Sequence, residues 1–186
     1  FLGAPYQAGT LEAPGPEKLT ATLAQFDCTT FVETVLALTR CVTAGKLSGP
    51  QFRKSLKHIR YRGGKIAGYA SRLHYFCDWL GDNEKKKVLR NITADLGGCA
   101  RRKKINFMTT HRALYAGLKS ESAFDRLRKT EQSLSRRTFP VLDVGELARR
   151  PGGICPGDVI AFATDEAGLD VAHAGFAVKE GRSLRL

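Results

Sequence analysis

From Cys28 onward, the apolar residues Phe31, Val35, Leu38 and Val42 recur every three or four positions, with Gly45 placed to stop the run. The spacing predicts a helix that opens at Cys28. Asp27 or Thr29 can cap it, because a short side-chain oxygen satisfies N–H groups that a first turn leaves unpaired. Residues 49–59 form a second amphipathic segment with a basic outer face, and residues 60–65 read as a turn. Upstream, Gly3, Pro5, Gly9, Pro14, Gly15 and Pro16 make residues 1–26 a loop, with a short helix expected near 17–24. Residues 71–80 suit either a helix or irregular chain, and 82–137 alternate short helical patterns with polar loops. The last third changes period: 158–164 and 169–178 are β-type runs joined by Asp165-Glu166-Ala167-Gly168, a hairpin. Helix early and antiparallel strands late predict an α+β fold.

Composition narrows the class without changing that picture. The 186 residues are 42% hydrophobic, 9% aromatic and 26% charged, which excludes a disordered tail, a collagenous repeat and a coiled coil. A chain of this length fits one domain spanning 1–186 with a core of its own. No stretch approaches the roughly 20 apolar residues of a membrane span. The opening Phe1-Leu2-Gly3-Ala4-Pro5-Tyr6 lacks the layout of a secretory signal.

Charge is unevenly placed. The net charge is +12, and residues 85–137 hold 15 basic against 4 acidic residues, whereas the rest of the chain is nearly balanced. Such a segment suits an acidic polymer, nucleic acid or anionic lipid. Any single run, such as Lys85-Lys86-Lys87, reads first as a solvated surface.

The five cysteines form no CxxC pair and no zinc spacing with the four histidines, so no metal or cofactor is expected. Gly63-Gly64-Lys65 lacks the spacing of a phosphate loop. Among the cysteines, Cys28 differs by position. At a helix start, unpaired N–H groups and the helix dipole favour a thiolate, the nucleophilic form. Cys41, mid-helix among apolar neighbours, reads as a packing residue. A base is also needed. Alternation along 171–178 puts His173 on one strand face with Val171, Gly175 and Ala177, a small-sided face that a helix end can approach. His58 reads as a surface residue, and His74 lies in a polar, aromatic stretch suited to a groove. His111 has no evident partner. Asp27, Asp158 and Asp170 are alternatives for orienting an imidazole, and spacing does not choose among them.

Taken in order, Gly3-x-Pro5-Tyr6, Phe26-Asp27-Cys28-Thr29-Thr30-Phe31-Val32, Pro156-Gly157-Asp158-Val159-Ile160 and His173-x-Gly175 resemble the NlpC/P60 cell-wall hydrolases. Gly9-Thr10-Leu11-Glu12, Ile59-Arg60-Tyr61-Arg62, Ser71-Arg72-Leu73-His74-Tyr75-Phe76-x-Asp78-Trp79 and Leu169-Asp170-Val171 are similar to its DUF1460 amidase branch. The resemblance implies a papain-like domain, with a Cys-bearing helix packed on a small antiparallel sheet carrying His and a helical and loop middle segment. It implies cleavage of the amide between N-acetylmuramic acid and L-alanine in muropeptides. Cys28 would be the nucleophile and His173 the base, with Tyr6 and Asp27 lining the groove. Arg72 and His74 would contact the sugar or lactyl group. By the same resemblance the third catalytic residue would lie beyond Leu186 and the chain would be truncated at both ends. A monomer acting on peptidoglycan fragments in the periplasm or outside the cell is expected, with no nucleic acid and no membrane span. Alternatives are an endopeptidase cutting γ-D-glutamyl–diamino-acid bonds in the stem peptide, a basic nucleic-acid-binding module, and a non-catalytic wall-binding relative.

Overall fold

Asp27 and Thr30 close the start of the first helix on each other. Asp27 Oδ1 accepts from the Thr30 N–H at 2.7 Å, and Thr30 Oγ1 accepts from the Asp27 N–H at 3.0 Å. This reciprocal cap, in which Asp27 and not Thr29 takes part, starts α1, Cys28–Thr43. At its end Gly45 adopts a φ of +63°, and the Lys46 N–H turns back to the Cys41 carbonyl at 2.9 Å. The computed structural model that carries these elements describes residues 1–148, 153–181 and 183–185.

The inward face of α1 is not the stripe that apolar spacing predicts. Thr30, Glu33, Thr34, Ala37 and Cys41 are buried, whereas Val42 is 62% exposed. A carboxylate can face inward here because Glu33 accepts from Arg60 Nε at 2.6 Å and from Trp79 Nε1 at 3.1 Å. Arg60 is therefore the buried last residue of α2, Gly49–Arg60, and not part of the turn. The turn begins one residue later, where Gly63 and Gly64 both take positive φ.

No helix forms over 17–24. That stretch spends its polar groups on other elements: the Tyr61 hydroxyl donates to Glu17 at 2.7 Å, and Arg60 donates to the Thr20 carbonyl. Downstream, 71–80 divides between the two readings, irregular to Tyr75 and helical from Phe76 in α3, Phe76–Lys85.

The middle segment contains β1, Cys99–Arg101, α4, Phe107–Thr110, α5, Glu121–Ser135, β2, Phe139–Val141, and α6, Val144–Ala148. The expected hairpin is present as β3, Val159–Ala163, and β4, Val171–Phe176. A second small hairpin follows, β5, Val178–Glu180, and β6, Ser183–Arg185. Each sheet has two antiparallel strands, β1 with β2, β3 with β4, and β5 with β6. Helices combined with small antiparallel sheets make the fold α+β, as the order of patterns predicts.

In the β3–β4 ladder Phe162 faces His173, but Ala163 faces Val171, so Ala172 is an extra residue. A bulge of this kind breaks the two-residue alternation. Val171 consequently packs on the core with Ala174 and Phe176, not on the His173 face where alternation placed it.

Two apolar clusters hold the chain together. Val32, Ala37, Leu56, Ile59, Leu73, Phe76, Trp79 and Ala174 join α1, α2, α3 and β4. Tyr75, Ile105, Met108, Leu118, Leu127 and Leu134 join α4 and α5 to the chain before α3.

Candidate active site

Cys28 is the first residue of α1, and its half-buried thiol is free. Among the described residues its sulfur approaches the Thr29 hydroxyl at 3.9 Å. Cys28 therefore stands at the positive end of the helix dipole.

The N-terminal segment brings Tyr6 to the same point. It runs beside Phe26: the Gln7 N–H donates to the Phe26 carbonyl at 2.9 Å, and the Phe26 N–H donates to the Pro5 carbonyl at 3.2 Å. Burial, then the charges of Cys28 and Asp27, push the Tyr6 phenol above its usual pKa, while the Cys28 backbone N–H pulls the other way. Tyr6 is 64% exposed, yet its phenol is near enough to the Cys28 thiol and N–H to be influenced by both. Asp27 stands one residue away, but its carboxylate is occupied, Oδ1 by the helix cap and Oδ2 by the Thr10 hydroxyl at 3.1 Å.

His173 is exposed on β4, opposite Phe162, whose ring is 47% exposed. The elements carrying Cys28 and His173 are packed together. Phe31 of α1 meets Phe176 of β4 edge to face at 5.9 Å, and Val32 and Ala174 share one cluster. Among the described residues the thiol and the imidazole share no hydrogen bond, and the imidazole has no side-chain partner.

Each carboxylate considered for orienting that imidazole serves backbone N–H groups instead. Asp158 accepts from the Cys155 N–H at 2.8 Å. Asp170 accepts from the Cys77 N–H at 2.7 Å and the Val171 N–H at 2.9 Å, tying β4 to the first turn of α3. Burial raises the Asp170 pKa, and burial together with Asp170 raises that of the Cys77 thiol.

Arg72 and His74 come together in a cluster of their own. Arg72 is buried, with Nη2 2.7 Å from Glu12 and Nε 3.4 Å from Glu17, and its guanidinium lies 4.9 Å from the Tyr69 ring centre. Tyr69 donates its hydroxyl to Glu12 at 2.8 Å. His74 Nε2 meets the Tyr69 carbonyl at 2.9 Å, and burial with the nearby Arg72 charge pushes the imidazole down to about 3. The cluster clamps residues 12–17, the continuation of the segment that carries Tyr6.

Sequence reasoning did not assign roles to Thr10, Glu12 or Phe162. The first two lie in the singled-out Gly9-Thr10-Leu11-Glu12 run, but their partners are 17 and 60 residues away. For Phe162 the strand register carried the signal. His111 does have a partner, since its Nδ1 meets the Phe107 carbonyl at 2.8 Å. No group of three or more His, Cys, Asp or Glu among the described residues is placed to hold a metal ion. No helix among them is long and apolar enough to cross a membrane.

The profile of the AmiA-like family, described as N-acetylmuramoyl-L-alanine amidase-like, matches residues 1–186. An N-acetylmuramoyl-L-alanine amidase from Bacteroides uniformis is 42% identical, with a TM-score of 0.90 over 97% of this chain and 77% of that one. A Bacteroides fragilis protein described as a candidate xylanase is 37% identical, with a TM-score of 0.90 over 98% of this chain and 80% of its own. A Legionella pneumophila protein of the DUF1460 family, 24% identical, has a TM-score of 0.66 over 98% and 72% of the two chains and shares the fold. No curated protein matches the sequence.

Proposed function

The chain belongs to the AmiA-like, N-acetylmuramoyl-L-alanine amidase-like family, and from that premise we propose a cysteine-dependent hydrolase of the amide between N-acetylmuramic acid and L-alanine. Its substrates are peptidoglycan fragments, met in the periplasm or outside the cell, and it acts as a monomer with a papain-like domain of the NlpC/P60, DUF1460 type. One observation carries the reading: a free thiol begins a capped helix, beside a tyrosine phenol, and that helix is packed on the strand bearing an exposed histidine.

The chemistry follows from those parts. His173 takes the proton of the Cys28 thiol, and the thiolate attacks the lactyl carbonyl carbon, moving the carbonyl electrons onto oxygen. The Cys28 N–H and the Tyr6 hydroxyl donate to that oxyanion, in the place where donors lower the barrier most. Asp27 holds the N–H groups of the first turn in position. Collapse of the oxyanion expels the alanine amine, which takes its proton from His173. Water, deprotonated by the same imidazole, then attacks the thioester carbonyl and releases Cys28. The contacts with the sugar or lactyl group expected of Arg72 and His74 are replaced in this reading by a positioning role: Arg72 holds residues 12–17 through Glu12 and Glu17, and His74 supports Tyr69.

Mass spectrometry of a digested muropeptide tests the reading. Release of the whole stem peptide from the sugar is expected, together with loss of that activity in Cys28→Ala. Release of a dipeptide assigns an endopeptidase instead, and release of sugars from xylan with the muropeptide intact assigns a glycosidase.

A further inference from the structure

The basic segment remains unused by that chemistry. Four of its fifteen basic residues come together in one place. Between the chain leaving β1 and the outer face of α5 lies a groove of about 450 Å³, walled by Arg102, Lys104, Arg128 and Arg136. None of the residues placed around Cys28 lines it.

The groups inside the groove decide what it suits. Glu131 is its one acid, but that carboxylate is buried and accepts from the Tyr75 hydroxyl at 2.7 Å and the Thr109 N–H at 3.1 Å. Ser135 is likewise committed, accepting from the Ile105 N–H at 2.8 Å. Arg102 donates Nε to the Ser135 carbonyl at 3.0 Å, which leaves the outer edge of its guanidinium free of that bond. Arg128 has an exposed partner in Asp125, while Lys104 and Arg136 make no ion pair among the described residues. Asn106 and Gln132 add carboxamides that both donate and accept, but every uncommitted charged group offered to a ligand is a cation, three of them arginine forks.

A ligand matched to such a lining accepts hydrogen bonds and has few to donate. Sugar hydroxyls and peptide N–H groups can find acceptors in the Asn106 and Gln132 carboxamides, but a neutral sugar or peptide leaves the four cations without a counter-charge. Ionised phosphate oxygens need no acceptor, and arginine holds them in pairs. No aromatic side chain lines the groove, so it has no platform for stacking bases, the usual companion of charge in single-strand binding. A volume of this size takes a ligand of a few units.

We propose that this groove is an anion site, separate from Cys28, that binds two or more successive phosphates of a base-free chain such as a polyol phosphodiester. Lys104 and Arg136 supply the unpaired charge, and Arg102 and Arg128 set the spacing of the phosphates.

Titration calorimetry of the full chain with sodium tripolyphosphate and a short glycerol-phosphate oligomer tests this. Both are expected to bind, and to weaken about tenfold or more between 50 and 200 mM salt, because bound phosphates release counterions. Lys104→Ala/Arg136→Ala, checked for an unchanged circular dichroism spectrum, is expected to weaken both at least tenfold. Arg53→Ala, at an exposed position on α2, leaves binding unchanged. Cys28→Ala binds as the unaltered chain does, so the outcome does not depend on the proposed hydrolysis. Absence of binding at 50 mM salt overturns the proposal, as does equal binding by the double variant. Equal affinity for polyglutamate of the same charge reduces the groove to nonspecific attraction. An oligonucleotide binding more than tenfold tighter than the glycerol-phosphate oligomer assigns the groove to nucleic acid and also overturns it.

Discussion

Arg72 and Glu12, sixty residues apart in sequence, meet at 2.7 Å with the arginine side chain 7% exposed. The pair fastens the N-terminal segment to the chain before α3, a second anchor beyond the backbone bonds to Phe26 that place Tyr6 beside Cys28.

Removing one member of a buried ion cluster leaves the others charged and unpaired. Arg72→Met abandons Glu12 and Glu17 and is expected to cost about 3–5 kcal/mol in urea unfolding. Arg72→Met/Glu12→Gln should recover part of that loss, because one stranded charge is gone. A single variant within about 1 kcal/mol of the parent would show that the cluster does not hold the segment.

The thiols should separate by position. Peptide mapping after brief treatment with iodoacetamide near neutral pH is expected to find Cys28 modified and Cys41 and Cys77 untouched. Cys41 is 1% exposed, and burial and Asp170 keep the Cys77 thiol protonated. Cys28→Ala should lower muropeptide hydrolysis by at least about a thousandfold, with the folded state retained. Hydrolysis that survives this change excludes Cys28 as the nucleophile.

His74 links stability to acid. Folded, its imidazole titrates at about 3, held neutral by burial and Arg72, while an unfolded chain protonates it near 6.5. The unfolded state binds the extra proton between those values, so this contribution is complete above about pH 6.5 and is lost as pH falls toward 3. His74→Gln should flatten that part of the curve. Urea midpoints measured from pH 7 to pH 4 that fall equally steeply in both proteins would contradict it.

Gly117 leaves room for one ring. A Cβ there would stand 2.1 Å from Tyr69 Cδ2, closer than any side chain tolerates. Gly117→Ala is expected to destabilise the protein by about 1–3 kcal/mol and, through Tyr69 and Glu12, to loosen the Tyr6 segment. The thermal midpoint and the rate of proteolytic cleavage within residues 1–26 both report it.

Features that depend on near neighbours were readable from the residue order. The helix at Cys28 follows from a cap spanning Asp27 to Thr30 and from apolar spacing within four turns. The hairpin follows from two β-type runs and a short polar link. The density of charge in 85–137 was countable, as was the similarity that singled out Cys28 and His173. The inward face of α1 is not legible in the same way, because apolar spacing counts Glu33 as outward and no local rule shows that Arg60 and Trp79 meet it.

Chain order alone thus specified the helix that begins at Cys28 and the hairpin of β3 and β4, since each depends on dihedral preferences and hydrogen bonds a few residues long. Packing decided the rest. It determined that Arg72 serves Glu12, that Ala172 bulges and returns Val171 to the core, and that Arg102, Lys104, Arg128 and Arg136 line one groove. Those outcomes depend on energies between groups tens of residues apart, which arise only when folding removes water and brings the partners within range.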